Sequence, residues 1–186
     1  MKKLLFGLVA LLVLIECKKS DSPVISPTTV DNAESLPPSD SLASSNNFVV
    51  YDENKLADLL KTKDNDTLYI TNFFATWCGP CMMEIPHFKA EMEKLKGKKT
   101  KFTFVSVDAP EDWDTKVKEF GNIQGLSHHI VLFDMKNATE NFAQNHTQSW
   151  DGGSIPFTRI SKGNKIEEKM GSFTAEEFHH KIKSFQ

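Results

Sequence analysis

The sequence predicts an α/β domain, and three observations carry that prediction. From residue 48 onward, strand-like and helix-like stretches alternate. A Cys-x-x-Cys pair, Cys78 and Cys81, stands where an apolar strand hands over to a helix. The N-terminal quarter differs in composition from everything after it, so the 186 residues read as one domain plus an appendage.

The appendage comes first in the chain. Lys2-Lys3 precede an apolar stretch from Leu4 to Ile15, too short for a comfortable membrane span and of the right length for the core of a signal peptide. Cys17 follows Leu14-Ile15-Glu16, which points to a bacterial lipoprotein site, although Glu16 replaces the small residue usual before the cysteine. Residues 1–17 are therefore expected to be a signal peptide and lipoprotein anchor lipidated at Cys17, with an uncleaved short anchor as the alternative. Residues 18–47 are rich in Ser, Pro, Asp and Asn and cannot bury a core, so a disordered tether is expected there. Together these segments predict an extracytoplasmic location, in the periplasm or cell envelope, at a membrane surface. The net charge of −3 and the lack of a basic patch interleaved with aromatics argue against nucleic acid as a partner.

The remaining elements follow in order. A first strand is expected over Phe48 to Tyr51, then a helix with Leu56, Leu59 and Leu60 on one side. Thr67 to Phe74 reads as a buried strand entering the cysteine motif, and the helix after it repeats Cys81, Ile85, Phe88, Met92 and Leu95 along one face. Next come a strand at Lys101 to Val107, a helix near Asp112 to Phe120, a strand at Ile130 to Phe133 and a helix near Ala138 to Asn145. Ile155 to Ile160 and Lys165 to Met170, separated by Ser161-Lys162-Gly163-Asn164, predict a hairpin. Thr174 and Glu177 form a capping-box pattern with Phe173 and Phe178 placed as a hydrophobic staple, so a last helix should start there and pack Phe178, Ile182 and Phe185 on the sheet.

The chemistry is concentrated at the cysteines. Cys78 falls at a helix N-terminus, where unpaired N–H groups and the helix dipole favour the thiolate, and Cys81 lies one turn further in, close enough to form a disulfide with it. A structural zinc site would need four ligands, and the only other cysteine is the distant Cys17. Met82 and Met83 read as packing or surface rather than a copper cage. Glu84 is three residues beyond Cys81, on the helix face turned inward, so two readings compete: a hydrated rim carboxylate, or a partly buried acid with a raised pKa that exchanges protons with the cysteines.

The segment from Asn72 to Cys81, with Trp77-Cys78-Gly79-Pro80-Cys81 at its end and Glu84-Ile85-Pro86 after it, resembles the active site of the TlpA/ResA-like thiol-disulfide oxidoreductases. Phe104 to Asp108 is similar to that family's second core strand, and Ser154-Ile155-Pro156-Phe157 to its cis-proline loop, so the resemblance spans residues 48–186. It implies a thioredoxin fold, a central mixed sheet flanked by helices, with the branch's insertion of a helix and a strand before the proline loop. It further implies that Cys78 attacks, that Cys81 resolves, and that Trp77, Gly79, Pro80, Ile155 and a cis Pro156 meet the substrate. Thioredoxin's buried Asp is replaced by Asn72, and Glu84 is implied to take over the acid-base role. No cofactor and no metal are implied. The expected partners are exported proteins with disulfides, apocytochrome c among them, and an electron-donating membrane thiol carrier of the CcdA/DsbD kind. The competing readings are a net disulfide oxidase and a non-catalytic metal- or thiol-binding module.

Overall fold

The computed structural model describes residues 48–186. The expected anchor over residues 1–17, Cys17 and the tether over residues 18–47 lie outside the described residues. In chain order the elements are β1 (Val49–Val50), α1 (Glu53–Leu60), β2 (Leu68–Phe74), α2 (Gly79–Lys94), β3 (Thr100–Ser106), α3 (Lys118–Gln124), β4 (Ile130–Leu132), α4 (Phe142–His146), β5 (Phe157–Lys162), β6 (Lys165–Met170) and α5 (Ala175–Lys183).

The strands form one mixed sheet in the order β1-β4-β3-β2-β5-β6. At its centre β2 runs parallel to β3, pairing Leu68 with Thr100 through Phe74 with Ser106, and antiparallel to β5, pairing Phe73 with Phe157. This is the expected thioredoxin-type sheet. Its period-2 alternation divides the core. Ile70, Phe102, Phe104 and Ile160 pack in a cluster with Ile85 and Phe88 of α2 and Phe178 and Ile182 of α5. Phe73, Val105 and Phe157 pack in a second cluster with Leu56 and Leu60 of α1, Phe142 of α4, and Trp150. Each of these large side chains contributes roughly 1.5–3 kcal/mol by leaving water.

Helix ends are set locally. The Asp52 carboxylate accepts from the Lys55 N–H at 2.8 Å and caps α1. Thr174 and Glu177 exchange both bonds of a capping box at the start of α5, and the Phe173 and Phe178 rings lie 5.3 Å apart. Both features match the expectation.

Several boundaries differ from it. β1 is only Val49–Val50 and is solvent-exposed, since it pairs on one side alone, with β4. Residues 110–124 form one longer helical run, opening with a tight turn at Pro110–Asp112 and a wide π-turn at Trp113–Val117 before α3, which Gly125 ends at φ 68°. α4 is a single short segment, Phe142–His146, instead of a helix from Ala138. The first hairpin strand is shifted by two residues: β5 starts after Pro156 and continues to Lys162, while β6 spans Lys165–Met170 as expected, so the turn is only Gly163-Asn164, with Gly163 at φ 54°. A two-residue hairpin turn calls for that left-handed conformation, which glycine adopts without steric cost. Along α2, Met92 is only half-buried and Glu91 takes a buried position, accepting from Lys94 at 2.6 Å and from His179 of α5 at 2.9 Å.

Candidate active site

The cysteine pair sits where β2 ends and α2 begins. Cys78 is the N-cap of α2, and the Cys81 N–H donates to its Sγ at 3.2 Å. The two sulfurs are joined as a disulfide, 1.99 Å apart, with Cα atoms 5.2 Å apart. Cys78 retains 5% exposure and Cys81 none, which gives the pair an outer and an inner sulfur. Gly79 and Pro80 open the first turn, where the missing N–H of proline leaves no helical bond unmade. Trp77, immediately before the pair, is 66% exposed.

The loop leading to Cys78 is held from the neighbouring strand. Asp108, two residues past β3 and fully buried, accepts the Thr76 N–H on both carboxylate oxygens at 3.0 Å, and the Thr76 hydroxyl donates to the same group. Ser106 Oγ donates to Asp108 at 2.9 Å, and the Trp113 indole donates to its carbonyl at 2.9 Å. A buried carboxylate with this many donors is a rigid clamp on the backbone two residues before the outer sulfur.

Glu84 is fully buried, which removes the rim reading. Asn72 Nδ2 donates to its Oε1 at 2.8 Å and to Thr158 Oγ1 at 3.0 Å, and the Phe173 N–H donates to Glu84 Oε2 at 2.9 Å. Burial raises the Glu84 pKa to about 7, against the pull of the hydrogen bonds from Phe173 and Asn72 and the field of Lys169. Asn72 therefore has a position in the site: it orients the carboxyl. The Phe173 peptide also faces His87, which donates Nδ1–H to its carbonyl at 3.0 Å.

The Ile155–Pro156 bond is cis. The pairing of Phe73 with Phe157 brings Pro156 to the end of β2 that carries the cysteines, so the strand register unites two segments far apart in sequence. The preceding loop is shaped from within: the Trp150 indole donates to the Ser154 carbonyl at 2.9 Å, and Asp151 accepts from the Gly153 and Ser154 N–H groups at 2.9 and 2.7 Å. Glu168 of β6, paired with Arg159, accepts the Gln148 and Ser149 N–H groups at 2.7 and 2.8 Å and ties the loop to the hairpin.

The structure thus brings together Trp77, Cys78, Gly79, Pro80, Cys81, Glu84, Ile155 and Pro156, while Cys17 lies outside the described residues. Reading the sequence missed Asp108 as a clamp, Thr158 as the second acceptor of Asn72, and the Phe173 backbone as the second donor to Glu84. An aspartate at the end of an apolar strand was the one local signal available.

The thioredoxin family profile matches residues 48–150. The chain is 29% identical over 140 residues to the thiol-disulfide oxidoreductase ResA of Bacillus anthracis, covering 74% of this chain and 73% of that protein. It is 30% identical over 127 residues to the protein disulfide-isomerase like 2-2 of Arabidopsis thaliana, covering 62% of this chain but only 27% of that longer protein. Among solved structures, a putative thiol:disulfide interchange protein DsbE from Chlorobium tepidum shares the fold at a TM-score of 0.51 and 19% identity, over 70% of this chain and 84% of that one. With the Cys78–Cys81 pair in place at the head of α2, the chain belongs to the thioredoxin family, as a thiol-disulfide oxidoreductase of the ResA-like kind.

Proposed function

We propose that this oxidoreductase works as a reductant of disulfides in exported proteins, tethered at a membrane through its N-terminal segment and Cys17. The observation that carries the reading is the pairing of an outer sulfur at a helix N-cap with a buried inner sulfur, followed three residues later on the same helix by a buried acid. In the reduced enzyme the Cys78 thiolate is favoured by the α2 N-terminus and attacks a substrate sulfur. The substrate S–S bond breaks, a Cys78 mixed disulfide forms, and one substrate thiolate leaves. Cys81 then gives up its proton to the Glu84 carboxylate, and its thiolate attacks Cys78 Sγ. The Cys78–Cys81 disulfide forms and the second substrate thiolate departs. Two electrons have passed to the substrate, and the proton held by Glu84 follows. Glu84 suits this exchange because a pKa of about 7 lets it change charge near neutrality. The cis-Pro156 loop, with Ile155, Trp77, Gly79 and Pro80, receives the substrate segment.

The Gly79-Pro80 dipeptide between the cysteines matches thioredoxin, whose potential is about −270 mV. An exported reductant needs a supply of electrons, which a membrane thiol carrier of the CcdA/DsbD kind would provide, and apocytochrome c disulfides are the client class. A glutathione redox titration of the purified protein tests the direction. A potential near −270 mV is expected, and one near the −120 mV of a strong oxidant would make the enzyme an oxidase.

A further inference from the structure

The charges of the domain are sorted along its sheet. Residues 94–101, where α2 ends and β3 begins, hold five lysines and no acid, although the whole chain carries a net charge of −3. Residues 108–119, which follow β3 at the cysteine end, hold five acids and two lysines.

The fold enlarges the lysine pole. β2 runs from Leu68 toward the cysteines, so the pairing of Leu68 with Thr100 and of Tyr69 with Lys101 and Ser161 sets the start of β3 and the end of β5 at the opposite end of the sheet. Lys162 and Lys165 face each other across the hairpin turn there. Lys96, Lys98 and Lys101 line one cavity of about 570 Å³ with Glu93, and Lys98, Lys99 and Lys162 line a second of about 210 Å³ with Asp66. Lys98 borders both, so the basic surface is continuous. Its acids do not neutralise it. Glu93 reaches Lys96 at 3.8 Å, and Asp66 is shared between Lys99 at 3.8 Å and Lys162 at 3.4 Å, whereas Lys98 and Lys101 are exposed and pair with no carboxylate among the described residues. Like charges gathered this way repel one another in the free protein, and an anionic surface relieves that repulsion.

The occupant follows from strand direction. β1 is parallel to β4 and β4 to β3, so β1 also runs toward the cysteine end, and its N-terminal side, where the preceding residues join, faces the lysine pole. Resting on the membrane-tethered reading above, we infer that the lysine pole around Lys98 is a docking face for an anionic lipid bilayer, which presents the cysteines away from the lipid. α2 alone, 16 residues long, separates the two ends by about 24 Å. The attraction falls off within a Debye length, about 8 Å at physiological salt, so docking is reversible and leaves the domain free to turn its cysteines to a membrane donor.

The test uses the oxidised full chain on vesicles of phosphatidylcholine alone and of an equal mixture with phosphatidylglycerol, with sedimentation for binding and mass spectrometry of lysine acetylation for orientation. Each lysine near an anionic surface strengthens binding about fivefold, so Lys98→Gln, Lys99→Gln and Lys101→Gln together should lose roughly 100-fold of the wild type's preference for anionic vesicles, and the matching triple Arg variant should keep it. At low salt the anionic vesicles should slow acetylation of Lys98, Lys99 and Lys101 about threefold or more relative to neutral vesicles, and high salt should abolish the difference. Lys116 and Lys136, both exposed at the cysteine end, should react alike throughout. Equal binding to both vesicles with the three lysines unprotected overturns the docking face and leaves the tether reading intact, because the anchor alone then holds the chain. Binding to anionic vesicles alone, lost in the Gln variant, upholds the face and overturns the anchor. Binding to neither overturns both. Protection of Lys116 in place of Lys98 overturns the face, and so does protection of the Lys98 group by polyglutamate but not by anionic vesicles, which assigns the pole to an acidic polypeptide.

Discussion

Glu84 is a carboxyl group enclosed by protein, hydrogen-bonded by Asn72 and the Phe173 N–H and lying in the field of Lys169. Its protonated form is favoured in the fold, so between its ordinary pKa of 4.5 and the raised value of about 7 the folded chain holds a proton that the unfolded chain has released. The stability tied to this group is full below that window and is lost as pH rises through it, by about 3 kcal/mol in all. Glu84→Gln removes the titration and leaves one of the two donors without its acceptor. Denaturant unfolding of oxidised wild type and Glu84→Gln, in which neither cysteine titrates, should therefore show the difference moving in favour of the variant by about 3 kcal/mol from pH 4.5 to 8. A difference that does not change with pH would mean that Glu84 is ionised throughout and cannot serve as the acid. Asp108 is the second residue on which the site depends. Asp108→Ala strands the Thr76 N–H and the Ser106 hydroxyl in the interior, so urea unfolding should register a loss of about 2–4 kcal/mol. The same substitution should alter the alkylation rate of reduced Cys78, because the clamp lies two residues away; an unchanged rate would confine Asp108 to stability.

At the scale of elements, what could be read from the sequence is what is encoded within a few residues. The capping box of α5 is such a case: donor and acceptor are three residues apart, and the structure contains both bonds. Thr174→Ala should cost about 1 kcal/mol in thermal or urea unfolding, with no change in the cysteines. Strand β2 was legible because its apolar run is central and buried on both faces, and α2 because Cys81, Ile85 and Phe88 keep helical spacing. The errors arise where tertiary contacts decide. The π-turn at Trp113–Val117 brings the Trp113 indole to the Asp108 carbonyl, and no local pattern announces an extra residue in a helical turn. The hairpin turn was read two residues too long because Ser161 and Lys162 look like turn residues, yet Ser161 pairs with Ile166 and Lys162 with Lys165. The same distinction holds for the site. The cysteines, Glu84 and Pro156 are visible as motif residues, whereas the partners of Glu84 come from 12 residues before it and 89 residues after it, and only the folded sheet assembles them.

For the whole molecule, the direction of electron flow is a statement about folding energy. Oxidised and reduced chains, each folded or unfolded, form a thermodynamic cycle, so the amount by which the fold lowers the potential of the cysteine pair must equal the extra stability of the oxidised protein, at about 1.4 kcal/mol for each 30 mV. The disulfide closes a very short loop, with a sequence separation of 3, so chain entropy supplies only a small part of any difference. The remainder depends on how the fold treats the two thiols. The α2 N-terminus favours a Cys78 thiolate and so stabilises the reduced form, while the burial of Cys81, one helical turn before the buried Glu84, disfavours a second charge and opposes that gain. For a reductant the sum must leave the oxidised protein the more stable. Guanidinium unfolding of the full chain at pH 7, oxidised and then reduced under an excess of dithiothreitol, should place the oxidised form about 2–4 kcal/mol above the reduced one. The difference should match the potential from the glutathione titration through the same constant. A reduced form more stable than the oxidised one would assign the enzyme to disulfide formation, since a strong oxidant is a protein whose dithiol state is the favoured one.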